Sequence, residues 1–534
     1  MNALARSLAL ALVVAAGCGG SGWPDILDVR HVESPSGAPQ VTRVRDMGQP
    51  LLPARGPYKV TDSDGVAVIG ELLLIEGKDL GKQPTVNIGG RGAEVLRRTE
   101  GDGIVVRVPQ GTPAGAQPIE VVTARGRTKV DFPIRRLALV TLGDRDRVHV
   151  LAVTREAAEP VGTPLAVENA RLVRFSPDGS TAYVASSTGM GPAHLSVIDM
   201  TAAGGPRVAA RRELPSRVVV ALAASEGAPR LAVVGEREVT FFDVRDPLRP
   251  SHHPSWRLPE NLVRGRIVAA DIDLEGSLFV LLLAEGNRIA AYDIRRPDSP
   301  QHLTTVEVMP DARAPIVRDM RFSIDGDTLW IVSGDNIMSV SHGPQPTRLT
   351  AVKLMPSPQK RGPRVISVWR TMPVPGATAP LSLTVARGQM VASGTTIRLA
   401  PEAAAVFVTG VQSALFKLEG LALAREADAK KAAALWRQVP QPGMLIRTDV
   451  NGGGGPLFST PALLTGVDLT PDSQLLVAVA ARVATDKDTL TVEGGVVTTR
   501  MFTKTHTPTF LSLGQLKSDL VRPPFRLGEV RIQP

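Results

Sequence analysis

An all-β fold in two parts is what this sequence predicts, and three observations carry the prediction. Short runs rich in Val, Ile and Thr alternate with turn residues, and the 534 residues include 50 Gly and 44 Pro. Helix-favouring runs are rare. From about residue 137 one strand–turn–strand plan returns at near-equal intervals, while the stretch before it follows a different plan. Apolar residues make up 43% and charged residues 21%, a globular rather than a disordered balance.

The N-terminus sets the compartment. After Arg6 comes Leu8-Ala9-Leu10-Ala11-Leu12-Val13-Val14-Ala15-Ala16-Gly17-Cys18. A positive start, a short apolar core and small residues before a cut site make an export signal over residues 1–17. The apolar stretch is too short to span a bilayer, and no later segment offers about 20 uninterrupted apolar residues. Cys18 is the single cysteine, so the sequence holds no disulfide framework and no cysteine metal site. The ending Ala15-Ala16-Gly17-Cys18 resembles the lipobox of bacterial lipoproteins. That resemblance implies a lipidated Cys18 anchoring the mature protein to a membrane; the plainer alternative is a secretory signal with an incidental cysteine. Asp directly after the lipidated cysteine favours the inner membrane in that family. Gly19 stands there instead, so the resemblance implies an outer-membrane lipoprotein.

Residues 18–60 contain Gly19-Gly20-Ser21-Gly22 and Ser34-Pro35-Ser36-Gly37-Ala38-Pro39, the composition of a tether. Residues 61–136 read as a compact β module. Its expected strands are Val66 to Ile75, Val86 to Ile88, Ile104 to Val108 and Ile119 to Val122, with glycine turns between them. Leu74-Ile75-Glu76-Gly77-Lys78-Asp79-Leu80-Gly81, Val86-Asn87-Ile88-Gly89-Gly90 and Val106-Arg107-Val108-Pro109, closing at Phe132, resemble an IPT/TIG domain. That resemblance implies an immunoglobulin-like β-sandwich, a spacer or interaction module, and names no chemistry.

Residues 137–534 repeat. Arg174-Phe175-Ser176-Pro177-Asp178-Gly179 returns as Ala223-Ala224-Ser225-Glu226-Gly227, as Asp271-Ile272-Asp273-Leu274-Glu275-Gly276, and as Arg321-Phe322-Ser323-Ile324-Asp325-Gly326. Weaker copies begin at Leu399 and Leu469. The turn acids fall at 178, 226, 275, 325, 402 and 472, at intervals of 48, 49, 50, 77 and 70. A period of 40–50 residues built of short strands is the pattern of β-propeller blades. A half-copy, Leu137 to Leu142 with Val148 to Leu151, precedes the first. A C-terminal strand near Phe510 or Val530 would pair with it and close the ring, removing exposed sheet edges. Together these read as a seven-bladed propeller that resembles the YVTN or WD40-like type. The long intervals mark insertions near 352–395, expected as a Pro-rich loop, and near 418–455, where Leu421 to Trp436 is the best helix candidate and Gly452 to Gly455 an expected loop. Such loops carry function or tolerate drift.

No catalytic, cofactor or metal residues emerge from the sequence. Asp271, Asp273, Glu275 and Gly276 imitate the start of a calcium loop, yet its twelfth position is Leu282, where a bidentate carboxylate is required. His252-His253 tempts as a metal pair, but adjacent side chains on an extended chain point to opposite faces. The formal charge of +9 is spread in pairs such as Arg97-Arg98 and Arg295-Arg296, which suits a solvated surface or an anionic partner such as lipid head groups or acidic polysaccharide. Export argues against nucleic acid. The expected function is therefore an outer-membrane-anchored, non-catalytic module that binds or scaffolds envelope or cell-surface proteins. The alternatives are a propeller-type lactonase or lyase at the central channel, or an adhesin for anionic polysaccharide.

Overall fold

The structure is a computed structural model. It describes residues 37–48, 65–99, 103–143, 146–202, 204–308, 316–323, 326–334, 347–355, 365–374, 379–385, 390–393, 396–399, 405–411, 433–434, 436–438, 441–449, 454–486, 489–501, 506–516 and 528–534. The fold is propeller-like and almost wholly β.

Two sheets face each other at the N-terminal end. One runs β1 (Gln40–Asp46), β3 (Leu72–Lys78), β7 (Ile104–Arg107) and β6 (Val95–Arg98). The other runs β9 (Gly126–Thr141), β8 (Gly115–Thr123), β4 (Thr85–Ile88) and β5 (Arg91–Ala93), with β2 (Ala67–Val68) parallel to β9. Alternate residues of both sheets meet in one core of Ile69, Leu73, Ile75, Val86, Ile88, Ile104, Val106, Ile119, Val121 and Phe132. Period-2 alternation puts them there: each strand turns every second side chain inward. The expected tether over residues 18–60 holds a strand, because β1 lies within it and pairs with β3. The expected single strand from Val66 to Ile75 is broken at Gly70, whose φ of +84° suits glycine and turns the chain between β2 and β3.

Strand β9 then leaves the sandwich without a break. Its first half, Gly126 to Ile134, pairs with β8, and Leu137 to Thr141 pairs with Arg147–Val153 on one side and Val530–Ile532 on the other. The expected boundary at residue 137 falls inside one continuous strand. The half-copy and Val530–Ile532 therefore share a sheet, as the pattern required, while Thr509–Leu516 is the outer strand of the preceding sheet.

Six of the remaining sheets are antiparallel and start from an innermost strand: Ala170–Phe175, Val219–Ala224, Ile267–Ile272, Ile316–Phe322, Ala379–Val385 and Ala462–Leu469; the seventh is a two-stranded hairpin, Met390–Ser393 with Thr396–Leu399, inserted after Ala379–Val385. The innermost strands touch one another in chain order, and Val530–Ile532 touches both the first and the last, so they form a closed ring. The second strand of each meander is buried on both faces. Leu278, Val280 and Leu282 pack toward Leu329, Ile331 and Val352 of the following sheet. Phe279, Leu281 and Leu283 pack toward Ala232, Val234 and Phe241 of the preceding one. A continuous apolar run is what a strand between two packed sheets demands. Burial of that run, at about 25 cal/mol per Å² of apolar surface, is the main force holding neighbouring sheets together.

The expected loop at 352–395 is instead largely strand. Arg348–Met355 and Val365–Pro373 complete one meander, and Ala379–Val385 opens the next. Likewise Gly454 and Gly455 begin the strand Gly454–Thr460 rather than lying in a loop. The extra length at 352–395 went into a longer outer pair, which still satisfies its backbone groups in a ladder. Most of the Leu421–Trp436 candidate lies outside the described residues; residues 433–434 and 436–437 are helical, and Trp436 is buried.

The sandwich is bolted to the ring. Arg107 pairs with Asp178 at 3.3 Å, and Gly111 N–H donates to the Pro534 carbonyl at 3.3 Å. Gln533, fully buried, donates from Nε2 to the carbonyls of Gly179 (2.8 Å) and Ile69 (3.3 Å), and its Oε1 accepts from Leu137 N–H (2.7 Å). One side chain thus ties the ring closure, a hairpin of the next sheet and the sandwich together.

Candidate functional site: the central channel

Four innermost strands, Ala170–Phe175, Ile267–Ile272, Ile316–Phe322 and Ala462–Leu469, run into hairpins that a side chain holds closed. Ser176, Ser323 and Thr470 accept through their hydroxyls, and Asp273 through its carboxylate, from the backbone N–H five residues on. The residue two places before that bracket faces the channel: Arg174, Asp271, Arg321 and Asp468 all line its hairpin-side mouth. The mouth is narrow, a cavity of about 80 Å³.

The acids along the channel, Asp271 and Asp468 at this mouth and Asp319 and Glu529 at the other, are braces between sheets. Phe322 N–H donates to Asp271 Oδ2 (3.0 Å) and Leu383 N–H to Asp319 Oδ2 (3.1 Å). Ile532 N–H donates to Asp468 Oδ2 (2.9 Å) and Val173 N–H to Glu529 Oε2 (2.9 Å). In each case the carboxylate satisfies a backbone donor on the next innermost strand. Charge-assisted bonds of this kind are the stronger class.

Three guanidiniums converge on Glu529. Arg174 reaches it at 2.6 Å, Arg531 bonds to the same oxygen, and Arg321 stands 3.6 Å away. Burial alone would lower the Arg321 guanidinium, but Asp271, Asp319, Glu529 and Asp468 overrule it and hold it above its ordinary value. Burial pushes the Asp271 carboxyl up to about 6, against the opposing pull of Arg321.

The other mouth is wide. A cavity of about 700 Å³, within the range that small-molecule sites occupy, opens where the innermost strands begin. Those strands carry a β-bulge there, between Ala170 and Leu172, Val219 and Ala221, Ile267 and Ala269, Val317 and Asp319, and Leu464 and Val467. The residues turned out of the ladder, Arg171, Val220, Val268, Arg318 and Thr465, line the cavity. Asp319, Ser382, Ser187, Thr188 and Glu529 complete its polar wall, and Arg174 reaches both mouths.

Cys18 lies outside the described residues. The calcium-like trio is dispersed: Asp271 lines the channel, Asp273 holds a hairpin through Ser277 and Leu278 N–H (2.7 and 2.8 Å), and Glu275 is exposed on the turn. His252 is exposed, while His253 pairs through Nδ1 with Asp298 at 2.7 Å. Among the described residues no group of three His, Cys, Asp or Glu is placed to hold a metal. Sequence reasoning missed the channel arginines. Their signal stood at the head of the Arg174-Phe175-Ser176 and Arg321-Phe322-Ser323 copies, where the hairpin acids drew attention instead.

No family model matches this chain, and no curated protein does. Solved structures do resemble it. A provisionally named 6-phosphogluconolactonase of Bacteroides uniformis aligns over 74% of this chain and 99% of its own, at 12% identity and a TM-score of 0.47. The periplasmic gluconolactonase of Pseudomonas aeruginosa aligns over 75% and 99%, at 10% identity and 0.47. The hydrazine synthase of Kuenenia stuttgartiensis aligns over 58% and 75%, at 13% and 0.37. At such identities and scores these likenesses carry no argument about what this chain does.

Proposed function

We propose that this chain is a lipid-anchored envelope protein, an IPT/TIG-type immunoglobulin-like module fused to a seven-bladed propeller, and that its work is hydrolysis of a small lactone or ester in the central channel. The observation that carries the reading is the wide mouth: a cavity of ligand size with Asp319 and Glu529 beside Arg171, Arg174 and Arg318. Asp319 is held in place by Ser382 Oγ (2.8 Å), Leu383 N–H and Met320 N–H, so its orientation is fixed before any ligand arrives. In the proposed step Asp319 takes a proton from water as the water oxygen attacks the carbonyl carbon. An arginine of the wall stabilises the oxyanion, the ring C–O bond breaks, and the proton passes to the departing alkoxide.

The test is base uptake by the purified chain with a panel of neutral δ- and γ-lactones, compared with Asp319→Asn. Turnover above background, reduced about a hundredfold or more in the variant, is expected. No turnover on any lactone or ester, or equal turnover in the variant, refutes it.

A second reading, a scaffold for envelope proteins, is favoured by the rigid junction: β9 passes unbroken from sandwich to ring, and Gln533 clamps both. Detergent pull-down from native membranes, wild type against Cys18→Ala, tests it. A reproducible partner set depleted in the variant supports the scaffold, and recovery of the chain alone counts against it.

A further inference from the structure

The narrow mouth holds more donors than its own acids take up. Asp271 accepts from Ile272 N–H at Oδ1 (3.1 Å) and from Phe322 N–H at Oδ2 (3.0 Å). Asp468 accepts from Thr384 Oγ1 (3.3 Å) and from Ile532 N–H (2.9 Å). Glu529, on which the arginines converge, accepts from Arg174 and Arg531 at Oε1 and from Val173 N–H at Oε2. Every oxygen of these three carboxylates is thus engaged. Arg321, which lines the same cavity, is different. A guanidinium carries five N–H donors, and this one makes no hydrogen bond among the described residues. Its ion pair with Glu529, 3.6 Å from Nη2, lies beyond hydrogen-bond reach. Nη2 is buried without an acceptor, and so are Nε of Arg174 and Nε of Arg531. Buried donors without acceptors are costly, so what the throat is short of is an acceptor.

We infer that the narrow mouth binds a small monovalent oxyanion, of the formate, nitrate or bicarbonate class, with its oxygens on the Arg321 guanidinium and its charge among Arg321, Arg174 and Arg531. This is the mouth that the hydrolytic reading leaves unused, so neither depends on the other. Two oxygens on one planar group match the guanidinium fork at two points. The cavity of about 80 Å³ limits the guest to about three or four heavy atoms, given about 30 Å³ for each water-sized group. A single charge suits the wall, because Asp271, Asp468 and, exposed at the rim, Glu226 repel a second one. The charged groups acting on Asp271 are Arg321, Arg174 and Glu226, and burial pushes its carboxyl up to about 6. Below that pH the three guanidiniums outnumber the buried carboxylates Glu529 and Asp468.

The experiment follows the thermal midpoint of the full chain at about pH 5.5 and constant ionic strength, as sodium formate replaces sodium benzenesulfonate, a monoanion too bulky for the cavity. A ligand that binds only the folded state raises the midpoint saturably. A saturable rise is expected with formate, and with nitrate in its place. Arg321→Gln should raise the half-saturating formate concentration at least about tenfold, the effect of losing a charge-assisted pair. Arg318→Gln, at the wide mouth, should change it by no more than about twofold. Arg321→Lys keeps the charge but loses the planar fork, and should fall between wild type and Arg321→Gln. The wild-type exchange of formate for benzenesulfonate needs no variant, so a substitution that impairs folding does not blunt the test. No rise, a rise that stays linear in formate as a bulk salt effect does, or an unchanged half-saturation in Arg321→Gln overturns the inference. A loss confined to Arg318→Gln overturns it too, by placing the anion at the other mouth.

Discussion

Glu529→Gln isolates the charge at the centre of the ring. The side chain is 12% exposed, and its partners Arg174, Arg321 and Arg531 are 14%, 16% and 8% exposed. Glutamine keeps the volume and one carbonyl acceptor but removes the negative charge on which three guanidiniums converge. Breaking a buried pair by removing one partner costs about 3–5 kcal/mol, because the other charge stays buried without compensation. Here three cations share the loss, so the upper half of that range is expected. The assay is equilibrium urea unfolding followed by tryptophan fluorescence, since Trp256 is partly and Trp330 fully buried in the sheet packing. Adding Arg321→Met in the Glu529→Gln background should recover part of the loss, because it removes one uncompensated charge. The cost should change little with salt, since buried pairs are poorly screened. A Glu529→Gln protein within about 1 kcal/mol of wild type would refute the reasoning, showing that water or the remaining acids already balance the arginines.

Asp271 gives the chain a pH signature. Its folded value of about 6 stands above the ordinary 3.8, so the folded state holds the proton more tightly. The resulting stability is complete below about pH 4 and is lost as pH rises through 6, by at most about 3 kcal/mol. Asp271→Asn should flatten that slope in denaturation midpoints measured from pH 4 to 7, and an unchanged slope would assign the proton elsewhere. Gln533→Ala removes three buried hydrogen bonds that join ring closure, hairpin and sandwich. A cost of about 2–4 kcal/mol is expected, with faster proteolysis at the C-terminus. Retention of wild-type stability and protection would show that the β9 ladder alone closes the ring.

The sequence by itself determined the elements and their repetition. Short apolar runs such as Leu278 to Leu283, bounded by turn residues, read as strands between packed sheets, and the recurring acid-Gly turns at Asp178, Glu226, Glu275 and Asp325 marked where four of the meanders turn. That a C-terminal strand closes on the half-copy was readable for the same reason, since the half-copy at Leu137 needs a partner for its backbone; that it is Val530–Ile532 rather than the strand near Phe510 came from the structure. Near 352–395 the reading failed because proline content was weighed above the β-branched runs around it, and an outer strand tolerates proline at its ends. The channel was invisible in sequence. Arg174, Asp271, Arg321, Asp468 and Glu529 are up to 355 residues apart, and only closure of the ring brings them to one axis. The bulges that aim Arg171 and Arg318 into the wide mouth have no local signature, because a bulge is a mismatch between two paired strands rather than a property of either. Local periodicity follows from the chain's own stereochemistry. Which side chains meet in the channel follows from how the sheets close around it, and that is a property of the whole ring.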